Sequence, residues 1–213
     1  MAPYLSDYST AGGRLLMTGD RLSSHMIGFE YPKTPPIPDD DAEGADFDRD
    51  SFIWQIMRMR NTIVGIDNGD PVREQESGGL IGARSRHPAY PDIWLDYSKW
   101  DPYLLIDGPQ YQGGVKFWEG FRGEVRPFER LSGLDTLYTP VTFDSTYAFG
   151  APPPRFADAV IGWRYESTRA DTLGGTQQGR IVVLDFQPYF FEPNAVQDAG
   201  TSSINWLVTG LDH

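Results

Sequence analysis

The acidic run at residues 39–50 is the part of this sequence whose residue types and spacing come closest to a known kind of site. Carboxylates alternate along the chain at Asp39, Asp41 and Glu43, a glycine follows, and Asp50 ends the run. Calcium loops place ligands in this order, with a glycine that lets the backbone turn, because a hard cation needs several oxygens around one point. Asp39, Asp41, Glu43 and Asp50 are therefore the candidate metal ligands.

The match to a calcium loop has departures. Glu43 is longer than the usual fifth ligand, Asp46 stands where an aliphatic residue is expected, and Asp50 is shorter than the usual glutamate. The preceding residues 31–38 are rich in proline, so no helix enters the loop. The alternative is a solvated acidic linker whose last carboxylates lie at a helix N-terminus. Calcium is the one cofactor that the sequence suggests, and we do not expect the fold to require it.

A concentration of aromatic residues between positions 90 and 121 is the second candidate site. Exposed Trp and Tyr rings can stack on sugar faces, and nearby carboxylates such as Asp96 can bond hydroxyls. The opposing interpretation is packing in the core or at an interface, which the strand-like alternation around Trp94 and Trp118 favours. The candidate binding residues are Trp94, Tyr97, Trp100, Tyr111 and Trp118.

Missing motifs argue against most enzyme classes. The chain has no cysteine, which excludes disulfides, thiolate zinc sites and cysteine nucleophiles. Its 3 histidines are far apart and form no HExxH pattern, and no nucleophile elbow or phosphate-binding loop is present. A glycosidase would need two facing carboxylates, for which Glu119, Glu124 and Glu129 are the available residues. We therefore lean towards a non-enzymatic protein.

Short runs of β-branched and aromatic residues between glycines and prolines predict the elements that position these sites. Examples are residues 14–18, 159–165, 180–186 and 204–208, whereas the period of residues 51–60 predicts a helix. We expect a mainly β fold with one short helix: an antiparallel β-sandwich or barrel, with a jelly-roll-like topology among the alternatives.

The proline-rich and acidic segments suggest two regions. We expect residues 1–50 to form an extended N-terminal arm and residues 51–213 to form a single β-rich domain. The proline-rich stretches at 31–38 and 148–155 are either surface loops or arms that lie along a neighbouring subunit.

The net charge and the apolar runs of the chain limit the classes of partner and the locations that we expect. With a net charge of −12, the chain repels phosphate backbones and anionic surfaces, so we expect neither nucleic acid nor membrane as a partner. The N-terminal residues lack the pattern of a secretory signal peptide, and no apolar run is long enough to span a bilayer. A virion or the cytoplasm is the expected location.

This profile favours a non-enzymatic structural subunit of a larger assembly. A virus or phage particle is the expected setting, with the chain as a capsid, cement, neck or tail-adaptor protein that contacts its own copies and other structural subunits. The first alternative is a carbohydrate-binding or carbohydrate-cleaving β-sandwich with a glycan as its partner. The second is a calcium-stabilised binding module.

Overall fold

A computed structural model of the chain describes residues 2–19, 22, 59–66, 79–99, 117–123, 134–143, 159–166 and 179–212. These ranges contain a six-stranded sheet curled into a half-barrel, a separate two-stranded pair, and two helices of 9 and 17 residues. In chain order the helices and strands are α1 (Ala2–Thr10), β1 (Arg14–Thr18), β2 (Met59–Ile66), β3 (Gly79–Ser85), β4 (Ile93–Trp94), β5 (Phe117–Gly123), β6 (Leu134–Phe143), β7 (Gly162–Glu166), β8 (Arg180–Leu184) and α2 (Pro193–Thr209).

The half-barrel has the strand order β1-β8-β7-β6-β3-β4, and β2 pairs with β5 apart from it. Its neighbours are antiparallel except for β1 and β8, which run parallel with Arg14 opposite Arg180 and Thr18 opposite Leu184. The mainly β prediction is confirmed. The parallel pair corrects the purely antiparallel sheet that we expected, and the described strands do not confirm a sandwich.

Helix α2 packs on one face of the sheet and closes the core. Its buried residues Ala199, Ser203, Trp206 and Leu207 recur with the helical period and form one face. Pro193 is the first helical residue, and Gly210 ends the helix in the left-handed conformation with its N–H donated to the Trp206 carbonyl at 2.7 Å. Neither of the two described helices is long and apolar enough to cross a membrane.

The strand predicted at residues 204–208 is wrong, because these residues are the last part of α2. Ile204, Trp206 and Val208 alternate with other residues as they would in a strand. Within five residues, this alternation cannot be distinguished from the end of a helix. The start signal at Pro193 and the stop signal at Gly210 define the longer element.

The predicted C-terminal boundary of the helix at residues 51–60 is wrong. Met59 and Arg60 belong to β2, where Met59 is paired with Gly123 and the register shifts between Met59 and Asn61. Cross-strand pairing with β5 therefore overrides the helical period at these two residues. The rest of the predicted helix, residues 51–58, lies outside the described ranges.

The expected N-terminal arm needs correction at its beginning. Residues 2–10 form a helix, and residues 14–18 are a strand of the main sheet. The Arg180 N–H donates to the Gly13 carbonyl at 3.1 Å, and the Gly19 N–H donates to the Leu184 carbonyl at 3.3 Å. Hydrogen bonds to β8 thus make β1 part of the domain. Residues 23–50 of the expected arm lie outside the described ranges.

Both faces of the main sheet bury apolar side chains. Val182 and Leu184 belong to the core that includes α2. The alternate residues Ile181 and Val183 point to the opposite face and are equally buried, as is Trp163 on β7. This double burial explains why β8 is a nearly continuous apolar run instead of alternating apolar and polar residues.

Candidate functional site

Trp94 and Tyr97 are the predicted binding residues whose surroundings the structure describes. Trp94 is half-buried in β4 opposite Gly82, and a Cβ added to Gly82 would lie only 2.8 Å from the indole Cε3 atom. The ring thus packs on the bare backbone of β3, as the packing interpretation predicts. Trp118 is placed in β5 by its backbone pairing alone. Trp100 and Tyr111, together with the metal candidates Asp39, Asp41, Glu43 and Asp50, lie outside the described ranges.

Tyr97 belongs to an exposed tyrosine patch, which we define as Asp96, Tyr97, Lys99 and Tyr189. The rings of Tyr97 and Tyr189 are 52% and 63% exposed. Lys99 Nζ lies 5.7 Å from the centroid of the Tyr189 ring and 3.6 Å from Asp96 Oδ2. The patch therefore presents two exposed tyrosines beside one pair of opposite charges.

Backbone contacts hold the tyrosine patch between two short turns, Tyr97–Lys99 and Pro188–Phe190. The Asp96 N–H donates to the Phe190 carbonyl at 2.8 Å. Hydrogen bonds from the Ser98 hydroxyl and N–H lower the pKa of Asp96, while burial raises the pKa of Tyr97. At neutral pH the patch thus offers a carboxylate as acceptor and a protonated phenol.

A second group of polar residues surrounds a buried arginine. We call His87, Asp135, Arg164, Trp206 and Asp212 the arginine cluster. Arg164 is only 5% exposed. Its Nε donates to Asp135 Oδ2 at 3.0 Å, Nη2 donates to Asp212 Oδ2 at 3.1 Å, and Nη1 donates to Asp212 Oδ1. The guanidinium carbon lies 4.7 Å from the centroid of the Trp206 ring.

The sheet and the helix bring the arginine cluster together. Arg164 lies directly opposite Asp135 in the β7–β6 pair, and Asp212 follows the glycine that ends α2. Burial lowers the pKa of Arg164, but the hydrogen bonds to Asp212 and Asp135 outweigh burial and raise it. The guanidinium remains charged, and its contacts fasten the segment that follows α2 to the sheet.

His87 contributes to the same network with both ring nitrogens. Nε2 lies 3.0 Å from Arg164 Nη2 and 3.5 Å from Asp212 Oδ2, and Nδ1 accepts the Ala89 N–H at 3.3 Å. Nε2 therefore faces both a guanidinium donor and a carboxylate acceptor. Since both nitrogens are engaged, this geometry suits a structural histidine better than a general base.

The arginine cluster is not predicted by the sequence patterns. A charged residue at Arg164 between the aromatic residues Trp163 and Tyr165 was a signal that this strand needs an internal counter-charge. The identity of the partners had no local signal, because they lie 29, 48 and 77 residues away in sequence.

A third surface is apolar and carries little charge. We define the neutral edge as α1, β1 and the outer side of α2 as far as residue 211. On α2 and just beyond it, Ile204, Val208 and Leu211 are 52%, 56% and 61% exposed. The other large exposed apolar residues of the neutral edge are Tyr4, Tyr8 and Leu16.

The charge count separates the neutral edge from the rest of the chain. Residues 2–18 contain Asp7 and Arg14, whose charges cancel, and residues 193–211 contain only Asp198. These segments thus contribute a net charge of −1 to a chain whose total is −12. The neutral edge is where another protein surface could approach with little electrostatic repulsion.

Within the described ranges, no three His, Asp or Glu side chains form a group that could hold a metal ion. No protein-family model, curated protein or solved structure matches the chain.

Proposed function

We propose that this protein is a non-enzymatic structural subunit that associates with its own copies through the neutral edge. The observation that carries this proposal is the exposed apolar stripe Ile204, Val208 and Leu211 within a nearly uncharged part of an acidic chain. A virus or phage particle is the setting that we infer from the sequence profile, with other structural subunits as further neighbours.

Electrostatics and the hydrophobic effect together favour this surface. Two copies with a net charge of −12 repel each other wherever their acidic surfaces meet. Contact through the neutral edge avoids most of this repulsion and removes apolar side chains from water, which stabilises association by about 25 cal/mol for each Å² of apolar surface buried. Interface centres are likewise depleted of charge and rich in apolar and aromatic residues.

The finer architecture that we propose is a sandwich. The buried residues Trp163, Ile181 and Val183 on the face opposite α2 require a protein layer above them. Strand β5, which is paired with β2, lies close to β3 and β6. A second layer that includes the β2–β5 pair would account for the burial.

The assembly proposal predicts that two charges in the apolar stripe abolish self-association. Ile204→Glu/Val208→Glu is expected to leave the fold intact, because both side chains are more than half exposed. Like charges facing each other across an interface cost several kcal/mol, so association should weaken by at least about a hundredfold. Light scattering over a concentration series measures the effect.

The matched control is Tyr97→Glu/Tyr189→Glu, which adds the same charge at two apolar residues of similar exposure beyond the opposite edge of the sheet. We expect this variant to associate as the native chain does. A native chain that is monomeric at every concentration, or equal association of the two variants, would refute assembly through this surface.

A second candidate function, glycan binding, is favoured by the tyrosine patch. The two open rings can stack on pyranose faces, and Asp96 and Lys99 can exchange hydrogen bonds with hydroxyls. Because the charges of Asp96 and Lys99 balance, we infer a neutral oligosaccharide as the ligand.

The glycan proposal predicts calorimetric binding of cellohexaose or maltohexaose to the native chain. Tyr97→Ala/Tyr189→Ala should weaken this binding by about tenfold or more, which corresponds to about 1.4 kcal/mol. The conservative variant Tyr97→Phe/Tyr189→Phe retains both rings and should bind nearly as well as the native chain. Absence of heat with either sugar would reject the glycan candidate and leave the assembly proposal untouched.

A further inference from the structure

Strand β1 lies at the margin of the main sheet. Among the described strands, β8 is its neighbour on one side and none lies on the other. Edge strands present backbone donors and acceptors to any chain that can align with them, and strand addition is a common mode of protein association. The alternate residues Arg14, Leu16 and Thr18 of β1 are exposed.

The exposed residues of β1 point towards the side of the sheet on which α2 packs. Leu16 is directly opposite Val182 in the parallel pair, and opposite residues point to the same face. Val182 belongs to the core that includes α2. Leu16 therefore lies on the helix-bearing face, at the margin of the sheet.

The C-terminal part of α2, which carries the apolar stripe, lies near the same margin. Arg180 of β8, the strand next to β1, donates from Nη1 to the Leu207 carbonyl at 3.2 Å. Helix α2 also contacts β1 itself. The exposed Ile204 and Val208, on either side of Leu207 in sequence, are therefore close to the β1 margin.

We propose that a second copy of this chain adds its β1 to the β1 edge in antiparallel orientation, around a twofold axis at Leu16, so that two six-stranded sheets become one. The proposal rests on the proposed function and names the partner and register of the neutral edge. The two α2 helices then lie on the same face, and Ile204 and Val208 of each copy line the seam.

The positions of the charged residues in β1 support a second copy as the partner and Leu16 as the position of the twofold axis. With the twofold axis at Leu16, Arg14 of each copy lies opposite Thr18, Leu15 lies opposite Met17, and Leu16 lies opposite its own copy. All five residues of β1 pair, and no like charges face each other, which would destabilise the pair. Axes at Arg14 or Thr18 would pair fewer residues of β1, and an axis at Arg14 would also place two guanidinium groups opposite each other.

Single cysteines test the register, because the native chain contains none. Opposite residues of an antiparallel pair have Cα atoms about 4.5–5.5 Å apart, within the range of a disulfide. Leu16→Cys should therefore become a disulfide-linked dimer under mild oxidation. In Thr18→Cys, the introduced thiols would be four residues apart along the strands, about 13 Å, and should not link. Non-reducing gels measure both, and circular dichroism verifies the fold of each variant.

Charged substitutions of Leu16, the residue on the proposed twofold axis, test the strand pairing independently of the cysteine variants. Leu16→Glu and Leu16→Lys each place two like charges opposite each other, so each variant alone should associate at least about tenfold more weakly than the native chain. Mixed in equal amounts, they should restore association as pairs of unlike variants. Light scattering of each variant and of the mixture tests the prediction.

The outcomes separate this inference from the proposed function. If the native chain associates and Ile204→Glu/Val208→Glu prevents it, but Leu16→Cys links no faster than Thr18→Cys, the strand pairing is wrong and assembly through the neutral edge stands. Equal association of the Glu and Lys variants alone and mixed would also overturn the pairing. A monomeric native chain would overturn both proposals.

Discussion

The double variant Asp135→Ala/Asp212→Ala is expected to lose about 3–5 kcal/mol of unfolding free energy, the cost of leaving a buried charge without its partners. Arg164 is only 5% exposed in the native chain, and the double variant removes its hydrogen bonds to both carboxylates. Asp135 and Asp212 are themselves 57% and 42% exposed. The loss of unfolding free energy therefore arises mainly from the buried charge of Arg164. Urea denaturation of the native chain and of the double variant measures this loss.

The control is to remove the charge as well. Arg164→Met keeps an unbranched side chain against Trp206 and leaves two carboxylates that water can reach, so we expect a smaller loss than in the double variant. Adding Arg164→Met to the double variant should recover part of the lost stability. A triple variant no more stable than the double variant would show that the buried charge is not the source of the cost.

Trp206→Ala is expected to destabilise the fold by about 3–5 kcal/mol, the range for truncating a buried aromatic residue to alanine. Trp206 is 6% exposed, packs in the core and lies 4.7 Å from the guanidinium carbon of Arg164. In a chain of this size the loss corresponds to a melting temperature lowered by roughly 6–20 °C. Thermal unfolding followed by circular dichroism measures the shift.

Trp94→Ala is the matched control for the tryptophan prediction, because Trp94 is half-buried and belongs to the short strand β4 at the edge of the sheet. We expect Trp94→Ala to lower the free energy of unfolding clearly less than Trp206→Ala does. Trp206→Phe should fall between the native chain and Trp206→Ala, since it retains a ring beside Arg164. Equal losses for Trp94→Ala and Trp206→Ala would mean that α2 is not a principal support of the core.

Helix α2 relates the stability of the domain to its proposed function. Its inner face carries Trp206 and Leu207 into the core, while Ile204 and Val208 remain exposed on the outside. Surface helices ordinarily have polar residues on their outer face, as the first half of α2 does. Ile204 and Val208 depart from this pattern near the end of the helix, which agrees with a surface that becomes buried in the proposed assembly.

Several features of this protein follow from local sequence patterns. Short apolar runs placed β1 correctly and β8 to within two residues of its end, because apolar runs of this length that follow turn-forming glycines are typical of strands. Composition alone excludes cysteine chemistry and makes the chain acidic. Of the predicted binding residues, Tyr97 is exposed as a ligand-binding ring must be, whereas Trp94 is half-buried on Gly82.

Long-range contacts in the folded chain select which elements pack together. The alternation at residues 204–208 fits a strand or the end of a helix, and packing of the whole of α2 on the sheet selects the helix. The parallel pairing of β1 with β8 and the convergence of His87, Asp135 and Asp212 on Arg164 join residues far apart in sequence. The periodicity of a segment indicates which face of a helix or strand is apolar. What packs on that face depends on how the whole chain buries its apolar surface and neutralises its internal charges, and a short stretch of sequence does not contain this information.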